Sequence, residues 1–217
     1  MMDAFSRFRK APNKVDFSQL PGLNSHLTMA PDIRKQDIIH SGKGQNPVQS
    51  SVLILLYPGW DNLPHIVFIQ RPAYPGVHGG QISFPGGRYE EFDNDLKITA
   101  LRETYEEVGV SPDNVEVLGA LTTLYIPPSN YIVSPFVGMM DFRPNFVPDP
   151  KEVDEVLEIG LHDLLSPSSH QEVSIQIGRP YKVPCFLVKG KTIWGATAMM
   201  LKEFLDLTLE VLKEQEP

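Results

Sequence analysis

Three carboxylates within five residues, Glu103, Glu106 and Glu107, are the positions in this chain best suited to chemistry. Placing Leu96 to Val108 on a helix at about 100° per residue brings them into an arc of roughly 100°. Ile98, Leu101, Tyr105 and Val108 fall on the other side, which predicts one buried apolar face and one face of concentrated negative charge. Like charges at i, i+3 and i+4 repel, each pair costing a few tenths of a kcal/mol, about as much as a favourable pair gains. Arg102, one turn before Glu106, offsets only part of that. A hard divalent cation completes such a site, and Mg²⁺ or Mn²⁺ prefers carboxylate oxygen ligands.

Glutamates on a helix are ordinarily a solvated face. The surrounding residues set this helix apart: Phe84-Pro85-Gly86-Gly87 precedes it, Asp93 lies between, and Gly109 closes it as a left-handed stop. The stretch Gly87 to Val110 resembles the signature of Nudix hydrolases, G-x5-E-x7-R-E-U-x-E-E-x-G-U with U aliphatic. Asp93 stands for the first Glu, the spacer from it to Arg102 is one residue longer, and Thr104 occupies an aliphatic position.

The resemblance implies hydrolysis of a phosphoanhydride in a nucleoside diphosphate linked to another moiety. It also implies metal ligation by Glu103 and Glu107, with help from Glu106 and the Gly87 carbonyl, and a positioning role for Arg102 through its i, i+4 pair with Glu106. Asp93 and Glu90 would stand behind these ligands. A general base in this family can lie outside the signature on a later loop, which makes Glu152 the first candidate and Glu106 the second.

Upstream, Arg71 ends an extended run and a loop with His78, Gly80 and Gln81 leads into the glycines. A guanidinium gives bidentate phosphate recognition, and a histidine can donate to phosphate. Arg71, His78 and Gln81 are therefore candidate substrate contacts. The run His78-Gly79-Gly80-Gln81-Ile82-Ser83-Phe84-Pro85-Gly86-Gly87 is similar to the coenzyme A branch of Nudix hydrolases, which shares the longer acidic spacer. Tyr131–Gly138 and Ile193–Ala198 resemble the same branch. That likeness implies coenzyme A or a derivative as substrate, cleaved to phosphopantetheine and adenosine 3′,5′-bisphosphate. Gly76 stands where the branch has a second Arg, and Pro72 takes the small polar position after Arg71. ADP-ribose or another nucleoside diphosphate derivative is the alternative substrate, and a catalytically silent nucleotide sensor the alternative of another class.

Positioning these groups requires a sheet. Ser51–Tyr57 is an apolar run that suits a strand buried on both faces, and His65–Gln70 the next. Short strand is expected at Gln81–Phe84, then at Val115–Tyr125, Ile132–Met140, within Asp149–Ile159, and at Val173–Ile177, Lys182–Val188 and Lys191–Trp194. Lys189-Gly190 reads as a hairpin turn. Helices are expected at Leu161–Leu165 and Ala196–Leu212, with shorter ones at Ala4–Lys10 and after Pro31-Asp32. The pattern is α/β, and the family resemblance implies a Nudix-type α/β/α sandwich with a mixed β-sheet. Residues 1–45 read as an N-terminal extension ending in a flexible connector, and 46–217 as one Nudix hydrolase domain that includes the C-terminal helix.

The 217 residues suffice for a single substantial core, and a net charge of −8 argues against a nucleic-acid groove. The expected partner is a small-molecule nucleotide, with no membrane and a homodimer left open through the apolar face of the last helix. Cys185, the single cysteine, sits in an apolar run and reads as a buried, inert thiol. The compartment expected is cytoplasmic.

Overall fold

The computed structural model describes residues 16–40, 46–73, 79–177 and 179–213. The Ala4–Lys10 helix, the 41–45 connector, Gly76 and His78 lie outside these residues. The central strand β1 (Val48–Pro58) is the apolar run found in the sequence, and it is buried on both faces. One of its edges is taken by β7 (Tyr131–Met139), parallel, from Val48↔Tyr131 to Leu56↔Met139. The other edge is shared. β2 (Pro64–Gln70) pairs antiparallel with its far end, and β4 (Gly86–Arg88) pairs antiparallel at Ser50–Val52, with Ser51 opposite Gly87. The twin glycines are thus hydrogen-bonded into the middle of the sheet. β3 (Ile82–Ser83) and β8 (Glu155–Gly160) pair with β2, while β5 (Glu116–Ala120) and β6 (Leu124–Ile126) pair with β7.

Alternation along β1 divides the interior. Leu53, Leu55 and Tyr57 face α3 (Leu96–Val108), joined by Ala100, Leu101 and Val108. Ile54 and Leu56 face the other way, against α5 (Gly195–Lys213) and the helix α1 (Leu23–Met29), through Leu201, Phe204, Leu205 and Met29. Burying each such side chain stabilises the fold by about 1.5–3 kcal/mol before entropy is counted. A second, antiparallel sheet of β9 (His170–Ile177), β10 (Arg179–Val188) and β11 (Lys191–Trp194) closes this layer, and Cys185 is fully buried in it. The short helices α2 (Asp32–His40) and α4 (Leu161–Leu165) complete the chain. The result is an α/β sandwich with a mixed sheet. Among the described residues no helix is long and apolar enough to cross a membrane.

Two local expectations need correction. The single strand Val115–Tyr125 is two strands. β5 carries a register shift between Val117 and Gly119, and Leu121 still donates its N–H to the Pro135 carbonyl of β7 at 2.9 Å. The Thr122 N–H then turns away to the Glu203 carboxylate at 3.1 Å before β6 begins at Leu124. The buried face of α3 is also rotated from the apolar one. Ile98 and Tyr105 are exposed, whereas Thr99, Thr104 and Glu107 are buried. The threonines can go inside because their hydroxyls are satisfied there, Thr104 by the Ala100 carbonyl at 2.7 Å and Thr99 by Asp93 at 2.9 Å.

Candidate active site

Helix α3 is set by its ends. Asp95 caps its start, the carboxylate accepting from the Ile98 N–H at 2.8 Å, and Gly109 stops it in the left-handed region at φ 75°. Between them, the three glutamates take up different environments. Glu107 is 1% exposed and points at β4, where its Oε2 accepts the Gly86 N–H at 2.7 Å. Glu103 is mostly buried, and its carboxylate lies so close against the Gly87 backbone that a Cβ at that position would overlap it. Only a glycine leaves room there. Glu106 is the exposed member.

Burial sets the electrostatics. Desolvation pushes the Glu107 carboxyl up to about 7, and Glu103 and Glu152 add to this, while Arg71 and the Gly86 N–H oppose it. Glu103 is raised for the same first reason, countered by Arg102. Glu152 is exposed, on a loop tied to the end of α3: Asp149 donates its N–H to the Glu107 carbonyl at 3.0 Å, and Asp149 in turn accepts from Val153 and Glu152. Its charge reaches both buried carboxylates.

Two arginines bracket the cluster. Arg102 forms the expected pair with Glu106 at 2.9 Å and also bonds Glu103 at 2.8 Å. Its firmest hold, however, is on Asp93, which it grips in two parallel bonds: Nε to Oδ1 at 2.7 Å and Nη2 to Oδ2 at 2.9 Å. Asp93 is fully buried, and the Arg102 bond, partly opposed by burial, brings its carboxyl down to about 2. Sequence reasoning gave Asp93 only a minor part; nothing in the sequence shows that Arg102 would reach back to it. Glu90 contributes through its backbone, donating its N–H to Asp93 at 3.0 Å.

Arg71 sits at the end of β2, where its backbone N–H bonds the Gln81 carbonyl at 3.0 Å. Its guanidinium turns inward: Nη2 donates to the Gly86 carbonyl at 2.9 Å and lies 3.2 Å from Glu107 Oε1. The Arg71 guanidinium is therefore brought beside the glutamate cluster, Gln81 is tied to the Arg71 backbone, and His78 lies outside the described residues.

Among the described residues no three acidic, histidine or cysteine side chains converge on one point as a preformed metal cage. The carboxylates turn instead to Arg102, Arg71 and the Gly86 N–H, which satisfy their charge. The donor set still fits a hard divalent cation. It offers carboxylate oxygens from Glu103, Glu106 and Glu107 and a glycine backbone pressed against Glu103, and burial makes the charge on Glu103 and Glu107 unfavourable without a counter-charge.

Residues 47–176 match the model of the NUDIX domain family. The chain is 33% identical over 141 residues to the uncharacterized Nudix hydrolase NudL of Photorhabdus laumondii subsp. laumondii, covering 64% of this chain and 75% of the relative. It is 35% identical over 140 residues to NudL of Yersinia pestis strain Pestoides F, covering 64% and 70%. A solved MutT/nudix family protein from Enterococcus faecalis shares the fold at 17% identity and a TM-score of 0.50, over 88% of this chain and 78% of that one. With the family model matching more than half of the chain, across the glycine strand and the helix of glutamates, the chain belongs to the Nudix hydrolase family.

Proposed function

We propose that this enzyme hydrolyses the pyrophosphate bond of a nucleoside diphosphate linked to another moiety, in a reaction dependent on Mg²⁺ or Mn²⁺, with coenzyme A or its derivatives as the substrate class. The observation that carries the reading is the packing of two buried carboxylates, Glu103 and Glu107, against the Gly86-Gly87 backbone. Glu103, Glu107, Glu106 and the Gly87 carbonyl would hold the cation, which supplies charge neutralisation of the diphosphate. Arg102, fixed by Asp93, keeps Glu103 and Glu106 turned toward that centre. Glu152, on the loop bonded to Glu107, would take the proton of the attacking water, with Glu106 second in line. The water oxygen bonds to phosphorus, the bridging P–O bond breaks, and the leaving phosphate carries the electron pair. Arg71, beside the cluster, Gln81, bonded to the Arg71 backbone, and His78 are the proposed substrate contacts.

The coenzyme A assignment is supported by the 78–87 motif and the longer acidic spacer. Gly76, in place of a second arginine, favours ADP-ribose or a related nucleoside diphosphate as the other reading. Incubating the protein with coenzyme A, ADP-ribose and NADH, each with Mg²⁺ or Mn²⁺, and identifying products by mass decides between them. Phosphopantetheine and adenosine 3′,5′-bisphosphate are expected; cleavage of ADP-ribose alone would transfer the assignment, and no turnover of any diphosphate would leave a nucleotide sensor. We further propose residues 46–217 as the catalytic unit and 1–45 as an extension, although Met29 and Ala30 already lie in the core that α5 shares.

A further inference from the structure

The inward turn of Arg71 carries a consequence for how cation and substrate bind. Glu107 is almost fully enclosed, and each of its oxygens has one partner: Gly86 N–H on Oε2 at 2.7 Å and Arg71 on Oε1 at 3.2 Å. The same Arg71 nitrogen also donates to the Gly86 carbonyl at 2.9 Å. Arg71, Gly86 and Glu107 therefore close a three-membered ring in which the guanidinium is the nearest full positive charge to the most buried carboxylate of the cluster. An ionised, unpaired buried carboxylate is strongly unfavourable, so wherever Glu107 is ionised rather than protonated a cation must stand beside it. Yet two cations cannot share Glu107 Oε1 without repulsion in a desolvated setting.

We propose that Arg71 is an exchangeable counter-ion: it neutralises Glu107 in the metal-free protein and is released toward the substrate's diphosphate when a divalent cation takes its place. The proposal rests on the metal-dependent reading above and adds an order to it. Arg71 is suited to both states. It lies at the end of a strand, its side chain is 26% exposed against 1% for Glu107, and a guanidinium bonds carboxylate and phosphate with the same fork. Binding of cation and diphosphate then become mutually favourable, because the first frees the group that holds the second.

The test is the reactivity of Arg71 toward phenylglyoxal in the full-length protein, followed by peptide mass spectrometry, with and without saturating Mg²⁺ and no nucleotide. Mg²⁺ is expected to raise the modification rate of Arg71 several-fold, and ADP added with Mg²⁺ to lower it again. The Glu107→Gln variant should be modified rapidly whether or not Mg²⁺ is present. An Arg71 rate that Mg²⁺ leaves unchanged or lowers overturns the exchange, even if Mg²⁺ binds. Absence of any Mg²⁺ binding by calorimetry removes the metal-dependent function itself, so the two failures are distinguishable.

Discussion

Arg102 and Asp93 are joined by two parallel hydrogen bonds, at 2.7 and 2.9 Å, across the short turn that leads from the glycines into α3. The pair fixes the arginine that in turn holds Glu103 and Glu106. Asp93→Asn removes the charge and turns one of the two accepting oxygens into an NH2 donor, so one arm of the Arg102 fork is lost, at a cost of about 1.5–3 kcal/mol. A chain of this size should then melt roughly 3–12 °C lower. Loss of support behind ligands typically reduces metal affinity or activity about 10–100-fold. Both calorimetric melting and Mn²⁺ titration of the variant should fall together; a variant that melts lower with unchanged Mn²⁺ affinity would confine Asp93 to stability. The pair also sets an acid limit. Because the folded Asp93 carboxyl lies below its unfolded value of 3.8, its contribution is complete above about pH 4 and is lost as pH falls toward 2. The wild type should lose melting temperature across that window more steeply than Asp93→Asn.

Glu107 behaves in the opposite sense. Its folded carboxyl, raised to about 7 from 4.5, binds a proton more tightly than in the unfolded chain. The metal-free protein is therefore most stable, on this account, below about pH 4.5, and loses that advantage as pH rises to 7. Cation binding must release the proton, so Mg²⁺ affinity should climb through the same range and level off above it. Glu107→Gln should flatten both dependences and reduce hydrolysis more than about a hundredfold, beyond the loss expected of an outer residue. Melting curves and Mg²⁺ calorimetry between pH 5 and 8.5 measure this, and an unaltered slope in the variant would place the titration elsewhere.

Gly87→Ala isolates the cradle from the fold. The added methyl meets the carboxylate end of Glu103, a flexible group that can swing away, and no backbone atom is among its nearest obstacles. Stability should change by less than about 1 kcal/mol, in the range of ordinary glycine to alanine effects, while turnover with Mg²⁺ drops sharply because Glu103 is displaced. Comparing urea midpoints with kcat separates the two; a large loss of stability with kcat intact would contradict the placement of Glu103.

These cases mark what the sequence carries and what it leaves hidden. The limits of α3, the glycine stop and the central strand follow from local signals: periodicity, caps and an apolar run of strand length. The buried side of α3 does not, because it is chosen by partners distant in sequence. Glu107 can be enclosed only because Gly86 and Arg71 meet it, and Thr99 only because Asp93 accepts its hydroxyl. The hydrophobic pattern points to Ile98 and Tyr105 and cannot register that a carboxylate has been supplied with donors. The break between β5 and β6 is equally invisible, since Thr122 is as good a strand former as its neighbours and turns its N–H from β7 to the Glu203 carboxylate, a partner distant in sequence.

A buried pair far from the glutamates shows the same dependence on distant partners. His26 of α1 and Glu203 of α5 are 2% and 0% exposed and meet at 2.8 Å, and Glu203 also accepts the N–H groups of Gly22 and Thr122 at 3.2 and 3.1 Å. Burial alone would raise the Glu203 carboxyl, but the bonds from His26 and Thr122 outweigh it and hold the carboxyl below its usual value. Removing one member of a buried pair costs about 3–5 kcal/mol. Glu203→Ala should therefore destabilise the protein by that order and expose residues 16–30 to proteases. Limited proteolysis that leaves this segment as resistant as in the wild type would show that apolar packing of Met29 and Ala30 suffices to hold it.

The general base is the remaining role to separate. Glu152 lies on the loop that the Glu107 carbonyl holds through Asp149, close enough for its charge to act on both buried carboxylates, whereas Glu106 is engaged by Arg102 at 2.9 Å. A carboxylate oxygen already taken by a guanidinium must give up that bond before a water can donate to it, whereas Glu152 is exposed. Glu152→Gln should therefore lower kcat by about 10²–10⁴, the usual contribution of a general base. Mg²⁺ affinity, measured by calorimetry, should stay within a few-fold, since Glu152 is not among the proposed ligands. Glu106→Gln should show the converse, weaker Mg²⁺ binding with a smaller fall in kcat at saturating metal. If the larger loss of kcat follows Glu106 instead, the proton passes to the helix, and the loop carboxylate acts only through its field on Glu107.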